Sequence, residues 1–295
     1  MRLAVFEATL TAVLGVLAAL LAVAARPVRA RLRAQKEPAA PPSFAGWSAV
    51  ALSEGPTSRR WLLGDDGVDD ATRAGLATAW QETARAAHRA LAASTRRALD
   101  LVTLSAPPEL VAAAHEHALD DLRRAKVCFA LARGLDGRGP SPGAAVAPPR
   151  ALPGPRATAL AGLATEVVVD AALARGVSAC VSAKLARRTT DRFIRRALEE
   201  IAMAEERHAR HAWDIIAWCL AEGGAPVEHA LRARIGRLVP IARDAPQEAL
   251  DGGWERWGIA GAALERQEHA RAVDAIARKL AELADKGRGG ELVAA

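Results

Sequence analysis

The sequence predicts an all-α fold with a four-helix bundle at its centre. Ala and Leu greatly outnumber the β-branched and aromatic residues: hydrophobic residues make up 51% of the chain, whereas Phe, Trp and Tyr together make up 4%. Long stretches with apolar residues at helical spacing contain almost no Gly or Pro, and segments rich in Gly and Pro separate them. The 295 residues are enough for one large domain with appendages.

An uncharged segment lies near the start of the chain. Residues 8–25 carry no charge, and five basic residues follow them before position 37. This length exceeds the core of a usual signal peptide, so we predict that residues 1–35 are an uncleaved membrane anchor with a basic flank. The flank favours a cytoplasmic location for the rest of the chain. The alternative is cleavage after Ala22-Val23-Ala24, which would make the protein periplasmic or secreted.

The net charge of +6 is concentrated at this end. The first 36 residues hold six basic residues and one acidic residue, which leaves +1 for the other 259. A nucleic-acid-binding domain would carry a basic surface on its folded part, because contacts with phosphates supply most of its affinity. We therefore expect no nucleic-acid partner.

Residues 36–68 are predicted to be a linker with an irregular lead-in. The stretch "KEPAAPPSF" is rich in Pro, and the residues after it have no sustained hydrophobic period. The helical part of the chain is therefore predicted to begin at Asp69.

Two helices form the first predicted hairpin. Asp69 can cap a helix that runs to Leu104, and Pro108 suits the first turn of a second helix that runs to about Ala132. Because the loop between them is short, the two helices are expected to be antiparallel.

A second hairpin is predicted after a long connection. Residues 134–155 are too rich in Gly and Pro to be helical, and a crossover along the bundle explains a connection of this length. The third helix is predicted over residues 156–187, and the fourth follows it and ends at Gly224. Two hairpins joined by one crossover form a bundle at residues 69–224, and residues 225–295 are predicted to be a C-terminal helical extension.

The fourth predicted helix contains a metal-ligand motif. Glu205 and His208 lie three residues apart in "EIAMAEERHARHAW", a spacing that puts an oxygen and a nitrogen ligand on one helix face. The corresponding stretch of the second helix, "HALDDLRRAKVCFALA", has Asp121 and Arg124 at these positions, and an arginine cannot bind a cation. One half of a paired motif is intact, and the other half is changed.

The four helices resemble those of bacterial ferritin-like domain proteins. The stretches "AHRA", "SAPPEL", "ALDDLRRAKVCFA", "ACVSA" and "AEERHARHAW" are similar to the di-iron helix motifs of that family over roughly residues 78–222, most specifically at "PPEL", "VCFA" and "ERHARHAW". The resemblance implies a ferritin-like bundle with six ligand positions for two irons. It puts Ala87 and Ala183 at two carboxylate positions, so we expect no functional di-iron centre.

The remaining polar residues allow two alternatives. We predict that the guanidinium of Arg124 replaces the metal and holds Asp121 and Glu205 in a buried ion pair. Alternatively, His117 lies one turn before Asp121 and could join Asp121, Glu205 and His208 in a site for a single iron, manganese or zinc ion. The other polar residues of these stretches are expected on solvated helix faces: His88, His115, Glu116 and His211.

These features predict a non-catalytic, membrane-anchored bundle that acts as a structural or protein-interaction module without a cofactor. Its partners would be the membrane, through the N-terminal segment, and an unidentified protein or further copies of the chain. The alternative is a metal-dependent oxidase or oxygenase that uses the single-ion site.

Overall fold

The structure is a computed structural model in which all the regular elements that it describes are helical. The described residues are 68–136, 142–143, 152, 154–235, 237–238 and 251–291. The all-α prediction is confirmed for these residues. The predicted membrane anchor, nearly all of the predicted linker and most of the predicted crossover lie outside them.

Helix α1 spans Asp70–Thr103 and helix α2 spans Pro108–Asp136. The side chain of Asp69 accepts a hydrogen bond from the backbone N–H of Thr72 at 2.8 Å, which satisfies one of the free amides at the start of α1. The bounds of α1 agree with the prediction to within one residue. Helix α2 begins as predicted and continues one turn past Ala132.

Helix α3 spans Arg156–Arg188 and helix α4 spans Arg192–Ile235. A π-helical segment, Val168–Leu173, interrupts the α-helical geometry of α3. Within α4, Gly224 has a φ of 56°, a conformation that glycine adopts at little cost, and the helix resumes after it. The chain therefore leaves helical geometry at Gly224, where the fourth helix was predicted to end, and a second helical stretch follows it.

A segment with two buried tryptophans leads into the last helix, α5, which spans Ala262–Glu291. Trp254 precedes a short 3₁₀ helix, Glu255–Trp257, and Trp257 ends it; the two side chains are 3% and 6% exposed. A Cβ at Gly75 of α1 would lie 2.6 Å from the ring of Trp254, so the glycine permits this close contact. The C-terminal extension is thus packed on the other helices, as its apolar face requires.

The helices pack in two pairs, α1 with α2 and α3 with α4, and α2 also contacts α4. One apolar cluster of buried side chains contains Trp80, Phe129 and Ile194. A second contains Leu101 and Leu163, and both clusters draw on all five described helices. The interior of the described part of the chain therefore has two apolar regions, and buried polar residues lie between them along the helices.

Helix α3 is, among the described helices, the one long and apolar enough to cross a membrane by length and composition. Half of its most apolar window is buried inside the protein. Core helices of soluble proteins meet the same criterion, and α3 packs along α4.

Candidate functional site

A layer of buried polar side chains separates the two apolar clusters. On α2, for example, Ala114 belongs to one cluster and Cys128 to the other, and the polar residues lie between them. On α3 and α4 the buried polar residues likewise lie between the two clusters, and on α1 Ser94 and Arg97 do. The buried members of this layer are Ser94, Arg97, Asp100, His117, Asp121, Arg175, Glu205, His208 and His211. Polar groups at this depth need partners, because an unpaired polar group away from water is costly.

Arg175 of α3 connects the two buried carboxylates. Its guanidinium donates to the two oxygens of Asp121 at 2.6 and 2.9 Å and to Oε1 of Glu205 at 3.0 Å. The hydroxyl of Ser94 donates to Oδ2 of Asp121 at 2.7 Å. Both oxygens of Asp121 are thus engaged, and the two-pronged contact is the strongest geometry available to an arginine and a carboxylate.

The charge of Arg175 is maintained despite its burial. Burial alone disfavours the charged guanidinium, but the negative charge of Glu205 and the hydrogen bonds with Asp121 outweigh it and raise the pKa of Arg175 above its usual value. This side chain is a permanent buried cation.

Arg124 of α2 donates a hydrogen bond to Oε1 of Glu205, and its side chain is 22% exposed. It was predicted to hold both Asp121 and Glu205. The arginine that contacts both carboxylates is Arg175 instead. Two carboxylates and two guanidiniums thus form a network without net charge, which is the condition for burying ions at moderate cost.

The resemblance predicted different residues of α1 and α3 at this level. Ala87 is buried but lies seven residues before Ser94, about 10 Å along the helix axis at 1.5 Å per residue. Ala183 is partly buried and lies eight residues after Arg175, about 12 Å along the axis. The residues that meet Asp121 and Glu205 from these two helices are therefore a serine and an arginine.

One signal in the sequence could have identified Arg175. It lies seven residues before Ser182, and the helix is regular between the two. Seven residues are about two turns of an α-helix, so Arg175 and Ser182 share one face, and both are buried. A charge on the inward face of a helix needs a buried partner of opposite sign, and Asp121 and Glu205 were available.

Three histidines extend the polar layer. His117 of α2 packs against His208 with ring centroids 3.9 Å apart and against His211 with centroids 4.7 Å apart. Burial lowers the pKa of all three, and the neighbouring imidazoles contribute to lowering that of His117 to about 2. The prediction of a solvated His211 is wrong, because the residue is 7% exposed. His115 and Glu116 are exposed, as expected.

His208 also contacts an acidic residue next to the network. Its Nε2 lies 3.2 Å from Oδ2 of Asp120, and Asp120 accepts a further hydrogen bond from Arg207 at 3.1 Å. Burial raises the pKa of Asp120, but the hydrogen bonds from His208 and from Arg207 outweigh it and lower the pKa below its usual value. The Nδ1 of His208 is buried and has no hydrogen-bond partner among the described residues.

Asp121, Glu205 and His208 form a group that could hold a metal ion, with ligand atoms within 4.8 Å of one another. The residues do not fit a centre of two metals, since Ser94, Arg124 and Arg175 stand where further ligands are needed. Within the described part of the chain, Oε2 of Glu205 and Nδ1 of His208 have no hydrogen-bond partner and could bind a single ion, but both oxygens of Asp121 already bond to Arg175 and Ser94. The fourth predicted ligand, His117, contacts His208 through its ring rather than joining this group.

Searches of protein-family models, curated proteins and solved structures found no significant match for this chain. Its function is therefore inferred from the geometry of the polar layer.

Proposed function

We propose that the chain is a non-catalytic bundle of the ferritin-like type, in which a buried arginine network takes the place of a metal centre. The observation that supports this is the position of Arg175, whose guanidinium lies between Asp121 and Glu205 and bonds to both. A fixed cation there supplies the positive charge that a metal would supply, but it offers no open coordination position and no redox chemistry.

Such a bundle acts as a structural or protein-interaction module held at the membrane by residues 1–35. The ionised groups of the polar network need no substrate to balance their charge. Arg124 and Arg175 pair with Glu205, and Arg175 also pairs with Asp121. Protein partners or further copies of the chain then bind through the surface of the bundle.

Iron loading tests whether the arginine network has replaced the metal centre. We expect the purified full-length chain, loaded with Fe(II) without oxygen and then desalted, to retain no iron that depends on Glu205. Stoichiometric iron in the wild-type chain that disappears in Glu205→Gln, while an exposed-site control such as Glu116→Gln keeps it, would refute the arginine network as a metal replacement.

The membrane location is tested separately by cysteine labelling. Of the three cysteines, Cys128 and Cys219 are buried and Cys180 is exposed, so Cys180 is the site that a maleimide reaches in the folded protein. With the bundle on the cytoplasmic side, an impermeant maleimide labels Cys180 in lysed spheroplasts but not in intact ones. If intact spheroplasts are labelled, the bundle lies outside the cytoplasm. Deletion of residues 1–35 is expected to abolish the association of the protein with the membrane.

A second candidate is a metal-dependent oxidase or oxygenase with a single-ion site. It is favoured by one observation: Oε2 of Glu205 and Nδ1 of His208 are buried, have no partner among the described residues, and belong to the group that could hold an ion. A bound iron would supply the oxidative chemistry, and Glu205 and His208 would hold it. The iron-loading experiment decides between the two candidates, because only this one predicts iron that depends on Glu205.

A further inference from the structure

We propose that a cleft between the first half of α3 and the end of α4 binds a small zwitterion, a molecule that carries both an ammonium group and a carboxylate. The cleft has a volume of about 420 Å³. Small-molecule sites usually have volumes of about 300 to 1,000 Å³, so a compact ligand fits here. The residues that line the cleft are different from those of the arginine network.

Two stripes of residues at helical spacing form the walls of the cleft. On α3 the stripe runs from Gly162 to Asp170, and on the chain after the break at Gly224 it runs from Ala230 to Arg237. Apolar side chains of the same two segments are buried together in one cluster: Leu160, Leu163, Val227 and Leu231. This packing holds the two walls side by side, so the cleft belongs to the folded bundle.

Each wall of the cleft carries charges of one sign. Glu166 and Asp170 lie one turn apart on α3, whereas Arg234 and Arg237 lie three residues apart on the other wall. The backbone N–H of Arg237 donates to the carbonyl of Arg234 at 2.9 Å, so the chain continues in a turn just past the end of α4. Charges of like sign that are one turn apart repel each other.

A zwitterion matches this division of charge. Its ammonium group lies against the carboxylates of α3, and its carboxylate accepts hydrogen bonds from the guanidiniums of the other wall. Both like-charge repulsions are then relieved by one ligand, whereas a simple cation or a simple anion relieves only one of them. The chemical class that the cleft fits best is therefore an amino acid or a related amino carboxylate.

The cleft is open to a ligand without rearrangement of the helices. Asp170, Arg234 and Arg237 are exposed to solvent. A Cβ at Gly162 would meet nothing within 4 Å, and Ala230 on the other wall is also small, so the walls leave room between them. Asp170 also belongs to the π-helical segment of α3, and such departures from α-helical geometry are frequent at functional sites.

Isothermal titration calorimetry of the purified full-length chain tests the proposal. The probes are linear ω-amino acids of increasing length, from β-alanine to ε-aminocaproate. We expect at least one of them to bind with a stoichiometry of one molecule per chain. The amine and the carboxylic acid of the same length each carry one of the two charges. Each should bind about 10-fold more weakly or worse, because it loses one set of charge-assisted hydrogen bonds.

Variants of both walls and of the space between them locate the binding. Asp170→Asn and Arg234→Gln should each weaken it by about 10-fold, since each removes one charge from a wall. Gly162→Leu should abolish it, because the leucine side chain fills the cleft from a position where its Cβ meets nothing. Arg187→Gln and Glu199→Gln are the controls, because they remove exposed charges of α3 and α4 that do not line the cleft.

Three outcomes overturn the proposal: no probe binds at millimolar concentration, a probe with a single charge binds as tightly as the zwitterion, or binding survives in Gly162→Leu. A helix interior favours leucine over glycine, so Gly162→Leu should fold, and circular dichroism checks this. The arginine network plays no part in these outcomes and is tested by iron loading, so this proposal and the proposed function fail separately.

Discussion

The guanidinium of Arg175 and the carboxylate of Asp121 form a buried two-pronged ion pair between α3 and α2, with N–O distances of 2.6 and 2.9 Å. The carboxylate also accepts from Ser94, so α1 is attached to the same pair. The contact of Arg175 with Glu205 adds α4. One arginine thus joins four helices at the level where the two apolar clusters separate, and the stability of the interior should depend on it.

Replacement of Arg175 should therefore be strongly destabilising. Arg175→Ala leaves Asp121 without its ionic partner, and breaking a buried pair from one side costs about 3 to 5 kcal/mol of unfolding free energy. Urea denaturation followed by circular dichroism measures the loss. Arg187→Ala, which removes an exposed arginine of the same helix, is the control and should change the free energy by less than about 0.5 kcal/mol. Equal stability of the two variants would contradict the network.

Arg124 should matter less than Arg175. Its side chain is 22% exposed, and Glu205 keeps its bond with Arg175 when Arg124 is removed. We expect Arg124→Ala to cost about 1.5 to 3 kcal/mol, the range for a hydrogen bond to a charged group. The same denaturation experiment compares the two variants directly. A larger loss in Arg124→Ala than in Arg175→Ala would mean that Arg124 is the main counter-ion.

Removing both members of the central pair should be milder than removing either one. In Asp121→Leu/Arg175→Met no uncompensated charge remains at this position, and Glu205 keeps Arg124 as its partner. Buried ion pairs replaced by apolar residues of similar volume often leave stability unchanged or increase it. A double-mutant cycle of unfolding free energies checks this. Losses that simply add would show that the two residues do not interact.

The predictable parts of the fold were those with local causes. Asp69 caps α1 through its own side chain, and Pro108 fits the first turn of α2, so these bounds follow from a few neighbouring residues. The non-helical backbone at Gly224 agrees with the predicted end of the fourth helix, and the chain is helical again after it, with Val227 fully buried. A local signal of this kind marks the break but not what tertiary contacts do beyond it.

The site was predictable only in part. The spacing of Glu205 and His208 places both on one face of α4, and the structure has both buried. The role of Arg175 depends on which helices pair and on the π-helical segment just before it, neither of which a helical period specifies. His211 was assigned to solvent because its contact with His117 comes from another helix.

The segment that contains Trp254 and Trp257 packs closely against α1 and α4 at Gly258. Gly258 has a φ of 82°, and a Cβ there would lie 2.7 Å from Ile194 and 2.8 Å from Trp80. Gly258→Ala should cost about 2 to 4 kcal/mol, from the left-handed backbone and the overpacking together. Gly162→Ala on α3 is the control, because a Cβ there meets nothing within 4 Å and a helix interior favours alanine by about 0.5 to 1 kcal/mol. Thermal denaturation should shift in opposite directions for the two variants.

Acid should destabilise the protein through His117. In the folded chain its pKa is about 2, so the imidazole stays neutral, whereas in the unfolded chain it binds a proton below its ordinary value of 6.5. The unfolded state therefore binds more protons, and the unfolding free energy falls by up to about 1.4 kcal/mol per pH unit for this histidine as the pH drops below 6.5. His208 and His211 add to the slope in the same direction. Urea denaturation between pH 7 and pH 5 should give a shallower slope in His117→Gln than in the wild type. His115→Gln, at an exposed position, should keep the wild-type slope, and a slope that His117→Gln does not change would contradict the burial of a neutral imidazole.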